Sequence, residues 1–126
     1  MSNRALLLVH AQVNARAEWL CERAFLPGGG GRTESAPTGG RRARKAQAAP
    51  GTTLESGRPL SDFDIVAFSL SFENDLLNVP GILAAGGVPP FREDRAASGR
   101  RHPLVVAGGF AASLNPEPAG VFADAV

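Results

Sequence analysis

Apolar positions fall into two stretches of the chain, separated by a segment that has almost none. Residues 27–51 contain no Val, Ile, Leu, Phe, Trp or Met. Such a segment cannot offset the entropy of ordering its backbone, about 1 to 2 kcal/mol per residue. The pattern therefore predicts a strand or helix segment at residues 1–26, a disordered linker or insertion at 27–53, and an α/β segment at 54–126. Residues 1–26 either belong to the same domain as 54–126 or stand apart from it.

The first segment has the least definite pattern. The apolar run at residues 5–9 is too short for its periodicity to separate a strand from a helical turn. Asn14 is a residue type that often precedes a helix, which predicts a helix from Asn14 to about Glu22.

Two runs in the third segment have the composition of buried strands. Residues 63–70 read Phe-Asp-Ile-Val-Ala-Phe-Ser-Leu, and residues 103–107 read Pro-Leu-Val-Val-Ala. Both are β-branched and nearly continuous in apolar character, which is typical of strands buried on both faces. Residues 124–126 look like the opening of another strand.

A helix is predicted between these two strands. Leucine, valine and isoleucine recur at helical spacing over residues 75–85, with Asn74 as the N-cap. Pro80-Gly81 predicts a kink or an early break in this helix, because proline removes a backbone hydrogen bond. A last helical turn is predicted from Asn115, with Pro116 at its first position, to about Ala123.

The order strand, helix, strand indicates a right-handed crossover between two parallel strands. The predicted fold class is therefore α/β: a partial doubly wound parallel sheet, Rossmann-like or flavodoxin-like, with a disordered insertion rich in Gly, Arg and Ala.

The candidate binding site follows from this topology, because ligands of open parallel sheets bind beyond the carboxyl ends of the strands. One loop there carries hydroxyls, a carboxylate and an amide, and the other carries paired glycines that let a ligand approach the backbone. Together they predict a site for a flat or phosphate-bearing ligand. The alternative is that Ser71 and Asn74 only cap the helix and that the glycines only permit a tight turn. The candidate site residues are Ser69, Ser71, Glu73, Asn74, Gly108 and Gly109.

Composition and charge narrow the classes of partner. Thirteen Lys and Arg against 12 Asp and Glu give a net charge of +1, which is too weak a field for nucleic-acid or anionic-membrane binding. The basic cluster at residues 41–45 has no aromatic residue for base stacking; it is interpreted as a solvated linker, with an RNA contact or an address signal as the alternative. We expect neither a nucleic acid nor a membrane as partner.

Candidate chemistry elsewhere is sparse. The only cysteine, Cys21, excludes an internal disulfide and a cysteine-rich metal site, and it favours a cytoplasmic location. His10, His102 and Cys21 match no metal-ligand spacing. We interpret the histidines as surface residues and Cys21 as a small buried apolar residue, and we predict no catalytic residue and no metal ligand.

Four strings in the third segment together resemble a known family. They are Leu-Glu-Ser-Gly-Arg-Pro-Leu at residues 54–60, Phe-Ser-Leu-Ser-Phe-Glu at 68–73, Ala-Gly-Gly at 107–109 and Asn-Pro-Glu-Pro at 115–118. Over residues 54–126 the chain resembles the N-terminal cobalamin-binding-like domain of a group of bacterial radical SAM proteins. A weaker likeness lies at residues 21–27.

The resemblance implies a doubly wound α/β domain that precedes a radical SAM barrel, normally in the same chain. That barrel binds an iron–sulfur cluster through a Cys-x3-Cys-x2-Cys motif, together with S-adenosylmethionine. This chain has only Cys21, so the cluster and S-adenosylmethionine are expected only in a full-length relative. The resemblance thus implies a non-catalytic fragment of the accessory domain, truncated before the barrel that is its expected partner.

The resemblance also bears on the ligand. Gly108-Gly109 match the last element of the corrinoid-binding pattern, whereas the histidine motif of that pattern is missing. We therefore expect either a corrinoid bound without a histidine ligand or another ligand. Two other interpretations stay open: a stand-alone α/β module for a nucleotide or phosphate ligand, and a non-functional truncated reading frame. Residues 27–53 are then either a true insertion or a reading-frame artefact.

Overall fold

The computed structural model describes residues 4–24 and 51–126. Within these residues every helix is too short or too polar to span a bilayer. The helices and strands are α1 (Arg4–Asn14), β1 (Ile65–Ser69), α2 (Val79–Ala85), α3 (Arg92–Ala97), β2 (Leu104–Gly108) and α4 (Phe110–Leu114), with 3₁₀ helices at Leu60–Asp62, Glu73–Asn78 and Ala119–Val121.

The two predicted strands are present and parallel. They pair in register from Ile65 opposite Leu104 to Ser69 opposite Gly108. On the other side of β2, Ala125 forms a parallel bridge to Val106. The α/β class, the parallel pairing and the strand opening near residue 124 are therefore confirmed.

The chain between the strands is helical, but its details differ from the prediction. A 3₁₀ helix at Glu73–Asn78 changes to α-helix at Val79, so the predicted break is present. Pro80 lies in the first turn of α2, where the lost amide proton has no partner inside the helix, and it therefore kinks nothing. α3 was not predicted, because its sequence Arg-Glu-Asp-Arg-Ala-Ala has too few apolar residues to show helical spacing.

Asn74 is not the N-cap of this helical region. The N-cap is Phe72, and the Oδ2 atom of Asp75, three residues later, accepts hydrogen bonds from the backbone N–H of Ser71 at 3.1 Å and of Phe72 at 2.9 Å. A carboxylate is favoured at this position, because the first amide groups of a helix have no partner within it.

The core lies on one face of the sheet. Val66 and Val105, paired side by side, are 7% and 0% exposed, and they belong to one core with Leu83 of α2 and Val88 of the loop that follows α2. On the opposite face, Ile65 is 45% exposed. The prediction that both faces of the strands are buried is therefore wrong for the described residues, because no described helix covers this second face.

The last helical turn begins later than predicted. Asn115 follows the final residue of α4, and the 3₁₀ helix comes only at Ala119–Val121. The side chain of Asn115 still accepts a hydrogen bond from Glu117 N–H, at 3.4 Å. Because α4 occupies the residues just before Asn115, the pair Asn115-Pro116 follows the end of α4 and does not begin a helix.

The N-terminal segment forms a helix that ends where one was predicted to begin. α1 stops at Asn14, whose side chain binds the backbone of Cys21: Oδ1 accepts from Cys21 N–H at 2.8 Å and Nδ2 donates to Cys21 O at 2.9 Å. The prediction of a helix from Asn14 to Glu22 is wrong, because asparagine also occurs at the ends of helices, and here its side chain binds the backbone that follows α1.

Residues 21–24 contact the beginning of the third segment. Leu54 N–H donates to Arg23 O at 2.8 Å, and Arg23 also binds Glu55 through its side chain. Gly51 and Thr53 are buried, so the last residues of the predicted linker, 51–53, are packed. Residues 25–50, which hold the rest of it, lie outside the described part of the chain.

Candidate functional site

The carboxyl ends of β1 and β2 bring the two predicted loops together. Ser69 lies beside Gly108 in the sheet, and Leu70 N–H donates to Gly108 O at 2.8 Å. Leu70 O then accepts a hydrogen bond from Ala111 N–H at 3.1 Å. These bonds hold the start of the loop after β1 against the start of α4.

Gly109 has a structural reason to be glycine. Its φ is +104°, a conformation that residues with a side chain rarely adopt, and a Cβ atom there would lie 2.5 Å from Leu70 O. A Cβ atom on Gly108 would meet open space. The close contact at Gly109 is thus made by the protein's own backbone, which fits the alternative that this glycine permits a tight turn.

A half-open cavity of about 190 Å³ lies at this edge of the sheet. Glu73 is the predicted site residue that lines it. Ser69 points to the other face of the sheet, because side chains alternate along a strand and the neighbouring Leu70 points into the cavity. The lining residues are Leu70, Glu73, Leu76, Ala111, Ala112, Asn115, Pro118 and Ala119.

The remaining predicted residues do not line the cavity. Ser71 contributes a backbone N–H to the carboxylate of Asp75, and Asn74 is exposed. Gly108 and Gly109 contribute backbone that pairs with or touches Leu70. As a site, this set of residues stays a prediction; the structure brings the residues to one edge, with Glu73 at the cavity.

Sequence reasoning missed most of the lining residues. Ala111 and Ala112 belong to α4, a short helix that directly follows the glycine pair. Alanine and proline carry no chemical signal, so these residues would stand out only once the position of α4 was known. The sequence predicts Asn115 as a helix cap, whereas in the structure it follows α4 and lines the cavity.

The lining is mainly apolar, and its one ionisable residue is the carboxylate Glu73. A phosphate group entering here would meet a negative charge and no basic lining side chain. Phosphate sites normally offer cationic side chains or converging backbone amides. The cavity therefore fits a phosphate ligand poorly.

A corrinoid also fits this cavity poorly. Its volume of about 190 Å³ is below the range of about 300 to 1,000 Å³ that is usual for drug-sized ligands, and a corrin macrocycle is larger than those. His102 precedes β2, at the opposite end of the strands, and its ring binds Ser98 Oγ at 2.8 Å. Neither the size of the cavity nor the position of His102 suits the macrocycle.

A polar cluster joins residues 22–23 to residues 53–56 on another part of the surface. Ser56 Oγ donates to Glu22 Oε2 at 2.6 Å, and Thr53 donates to the same oxygen. The hydroxyl of Ser56, and then that of Thr53, hold the pKa of Glu22 below its usual value. Two residues of the Glu-Ser-Gly-Arg-Pro-Leu string thus have a structural role here, since Glu55 binds Arg23 and Ser56 binds Glu22.

Cys21, beside this cluster, is not placed as a nucleophile. Partial burial, and then the charges of Glu55 and Glu22, raise the pKa of its thiol. A thiol with a raised pKa is less often in the reactive thiolate form at neutral pH.

Arg95 is a buried cation that sequence reasoning missed. It is 6% exposed, and its guanidinium donates to the carbonyls of Pro89 and Pro90 at 2.8 and 3.0 Å and to Asp124 Oδ1 at 3.2 Å. Asp124 Oδ2 in turn accepts Val105 N–H at 2.8 Å. The network ties α3 to the chain beside β2. In the part of the chain that is described, no three His, Cys, Asp or Glu residues are grouped to hold a metal ion.

Comparison with protein families gives a match that covers nearly the whole chain. The family described as "Radical SAM proteins, N-terminal" matches residues 5–126. No curated protein and no solved structure matches the chain.

Proposed function

Because the chain belongs to the family of N-terminal regions of radical SAM proteins, we propose that it is an accessory domain, non-catalytic by itself, whose carboxyl sheet edge faces the radical SAM catalytic domain. In this proposal the iron–sulfur cluster and S-adenosylmethionine belong to that catalytic domain. The single cysteine of this chain cannot supply a three-cysteine cluster motif.

The observation that carries the proposal is the parallel register of β1 and β2. Ser69 opposite Gly108 brings both carboxyl-end loops around one cavity, which is where α/β domains bind their ligands. The proposed role of this edge is therefore to hold a group beside the catalytic domain. A cobalamin-like specificity has no support from the cavity, whose size does not suit a corrinoid.

Exposed apolar side chains at the same edge support contact with another domain. Phe72, Phe110 and Leu114 are 67%, 69% and 65% exposed. A group of large apolar side chains left in water is costly and commonly marks an interaction surface. Aromatic residues in particular often contribute strongly to such interfaces. Because the family places this region in radical SAM proteins, the catalytic domain is the occupant that we propose.

Hydrogen exchange, measured with the two domains joined and with this chain alone, tests this proposal. We compare the full radical SAM protein with this chain alone and follow the amides of α4. If α4 faces the catalytic domain, its amides should exchange at least about tenfold more slowly in the full protein. The substitution Phe110→Ser in the full protein should remove much of that protection.

The matched control is α1, where Leu8 is 59% exposed but lies far from the carboxyl edge in sequence and carries no part of the cavity. Its amides should exchange equally fast in both proteins, and Leu8→Ser should leave α4 protected. Equal exchange of α4 in the two proteins would contradict the proposal.

A further inference from the structure

We infer that the cavity at the carboxyl sheet edge takes a ring-sized apolar group that carries a positive charge, with the carboxylate of Glu73 as its counter-charge. This inference rests on the proposed function, since it names the class of ligand that the edge would hold. It differs from the flat or phosphate-bearing ligand that the sequence predicted.

The size of the cavity sets the size of the group. An apolar cavity of about 150 Å³ is large enough for benzene, and the cavity here measures about 190 Å³. One ring with a short substituent fills it, whereas a nucleotide or a macrocycle does not. The cavity is half open, so the remainder of a larger ligand would extend into solvent or toward another domain.

The lining determines which part of the group is apolar. Leu70 and Leu76 contribute aliphatic side chains, and α4 contributes Ala111 and Ala112. Ala112 is 4% exposed and Leu70 is also 4% exposed, so both belong to the core that the cavity reaches. A ring in this position would bury apolar surface against aliphatic carbon on several sides, which is favourable in proportion to the area removed from water.

The charge follows from Glu73. Its carboxylate lines the cavity but enters none of the ion pairs among the described residues, which use Glu55, Asp64 and Asp124. The neighbouring carboxylate, Asp75, is already occupied by two backbone amides. Glu73 is therefore the acidic side chain at the cavity that a ligand cation is free to approach.

A titration of the full chain with matched probes tests the inference. Benzylammonium chloride and benzyl alcohol have the same ring and differ in the charge of the substituent. Binding is followed by the amide shifts of Leu70, Ala111 and Ala112 in ¹H–¹⁵N spectra, up to about 10 mM probe, since affinities for so small a group are millimolar at best. We expect benzylammonium to bind about 1.5-fold to fivefold more tightly than benzyl alcohol, the range for an exposed ion pair.

Two variants and one control locate the effect. Glu73→Gln should remove the preference for benzylammonium and leave binding of benzyl alcohol unchanged. Ala111→Leu should fill the cavity and weaken both probes, and its amide spectrum shows whether the fold is kept. Glu117→Gln removes a different exposed carboxylate, which does not line the cavity, and should keep the preference.

The outcomes separate this inference from the proposed function. Equal binding of the two probes, or a preference that survives Glu73→Gln, would show that the ligand class is wrong. Absence of shifts at these amides, or binding unaffected by Ala111→Leu, would show that the cavity is not the site. None of these results alters the hydrogen-exchange comparison, which tests contact with the catalytic domain separately.

Discussion

The two faces of the small sheet differ in how well they are covered. Val66 and Val105 on one face are 7% and 0% exposed, whereas Ile65 and Leu104 on the other are 45% and 48% exposed. Both pairs are apolar and β-sheet-like in composition. The difference shows that a strand's own sequence indicates which side chains favour burial. Whether a face is buried depends on which helices or loops elsewhere in the protein pack against it.

The covered face should dominate stability. Leu83 packs on it and is 0% exposed, while Leu104 lies on the open face, so Leu→Ala at the two positions removes the same atoms from different surroundings. Leu83→Ala should lower the free energy of unfolding by about 3 to 5 kcal/mol, through lost burial and a cavity. Leu104→Ala should lower it by less than about 1 kcal/mol.

Urea unfolding of the two variants and the parent chain measures both values. Similar losses for Leu83→Ala and Leu104→Ala would mean that the open face is covered in solution, and the contrast between the faces would fail.

The contrast extends to charged groups. Asp124 binds the buried guanidinium of Arg95 and also Val105 N–H, whereas Asp64 pairs with Arg101 where both side chains are about 90% exposed. Asp124→Ala should lower the free energy of unfolding by about 2 to 3 kcal/mol, because it leaves buried donors without an acceptor. Asp64→Ala should change it by less than about 1 kcal/mol, as exposed ion pairs contribute little.

Chemical denaturation of both variants at low and moderate salt checks this prediction. The Asp64→Ala effect should shrink further with salt. An Asp124→Ala loss as small as that of Asp64→Ala would show that the buried network does not form.

The adjacent glycines give a third matched pair. Gly109→Ala would place a Cβ atom against the backbone of Leu70 at a positive φ, whereas Gly108→Ala meets open space. We expect Gly109→Ala to cost about 1 to 3 kcal/mol of stability. Gly108→Ala should change stability by less than about 0.5 kcal/mol. Thermal unfolding compares the two, and equal melting temperatures would contradict the contact between Gly109 and Leu70.

The smallest effect concerns pH. Because the hydroxyls of Ser56 and Thr53 lower the pKa of Glu22 in the folded protein, its carboxylate stabilises the fold above its unfolded pKa, near 4.5, and this stabilisation is lost as pH falls through the lower folded value. Glu22→Gln should therefore destabilise the chain more at pH 7 than at pH 3. Urea unfolding at both pH values measures the difference, with Glu18→Gln, an exposed residue of the same segment, as control. A Glu22→Gln effect that is independent of pH would refute it.

The sequence predicted the parts of the fold that depend on local apolar runs. Residues 63–70 and 103–107 contain the two strands, and their parallel pairing followed from the helix between them. Asn14 and Pro80 were assigned to the wrong parts of helices, because the same residue types occur at more than one helix position. The guanidinium of Arg95 is buried because it donates to the carbonyls of residues 89, 90 and 122. Residue 122 is distant in sequence, so the local sequence around Arg95 does not predict this burial.

The candidate site was predictable in location but not in chemistry. The rule for parallel sheets placed it at the carboxyl ends of β1 and β2, and Glu73 was among the residues named. The apolar character of the cavity comes from Ala111, Ala112 and other small residues. Their contribution depends on where α4 packs, which tertiary contacts decide.

The central claim is that β1 and β2 run parallel with Ser69 beside Gly108, because the cavity and both proposals depend on that register. The most direct test is a scalar coupling across the hydrogen bond from Leu70 N–H to Gly108 C=O, measured by NMR on the full chain labelled with ¹³C and ¹⁵N. The structure, in which these atoms are 2.8 Å apart, predicts a measurable coupling for this pair and for Leu104 N–H with Asp64 C=O. Coupling of these amides to other carbonyls, in a shifted or antiparallel register, would contradict the account.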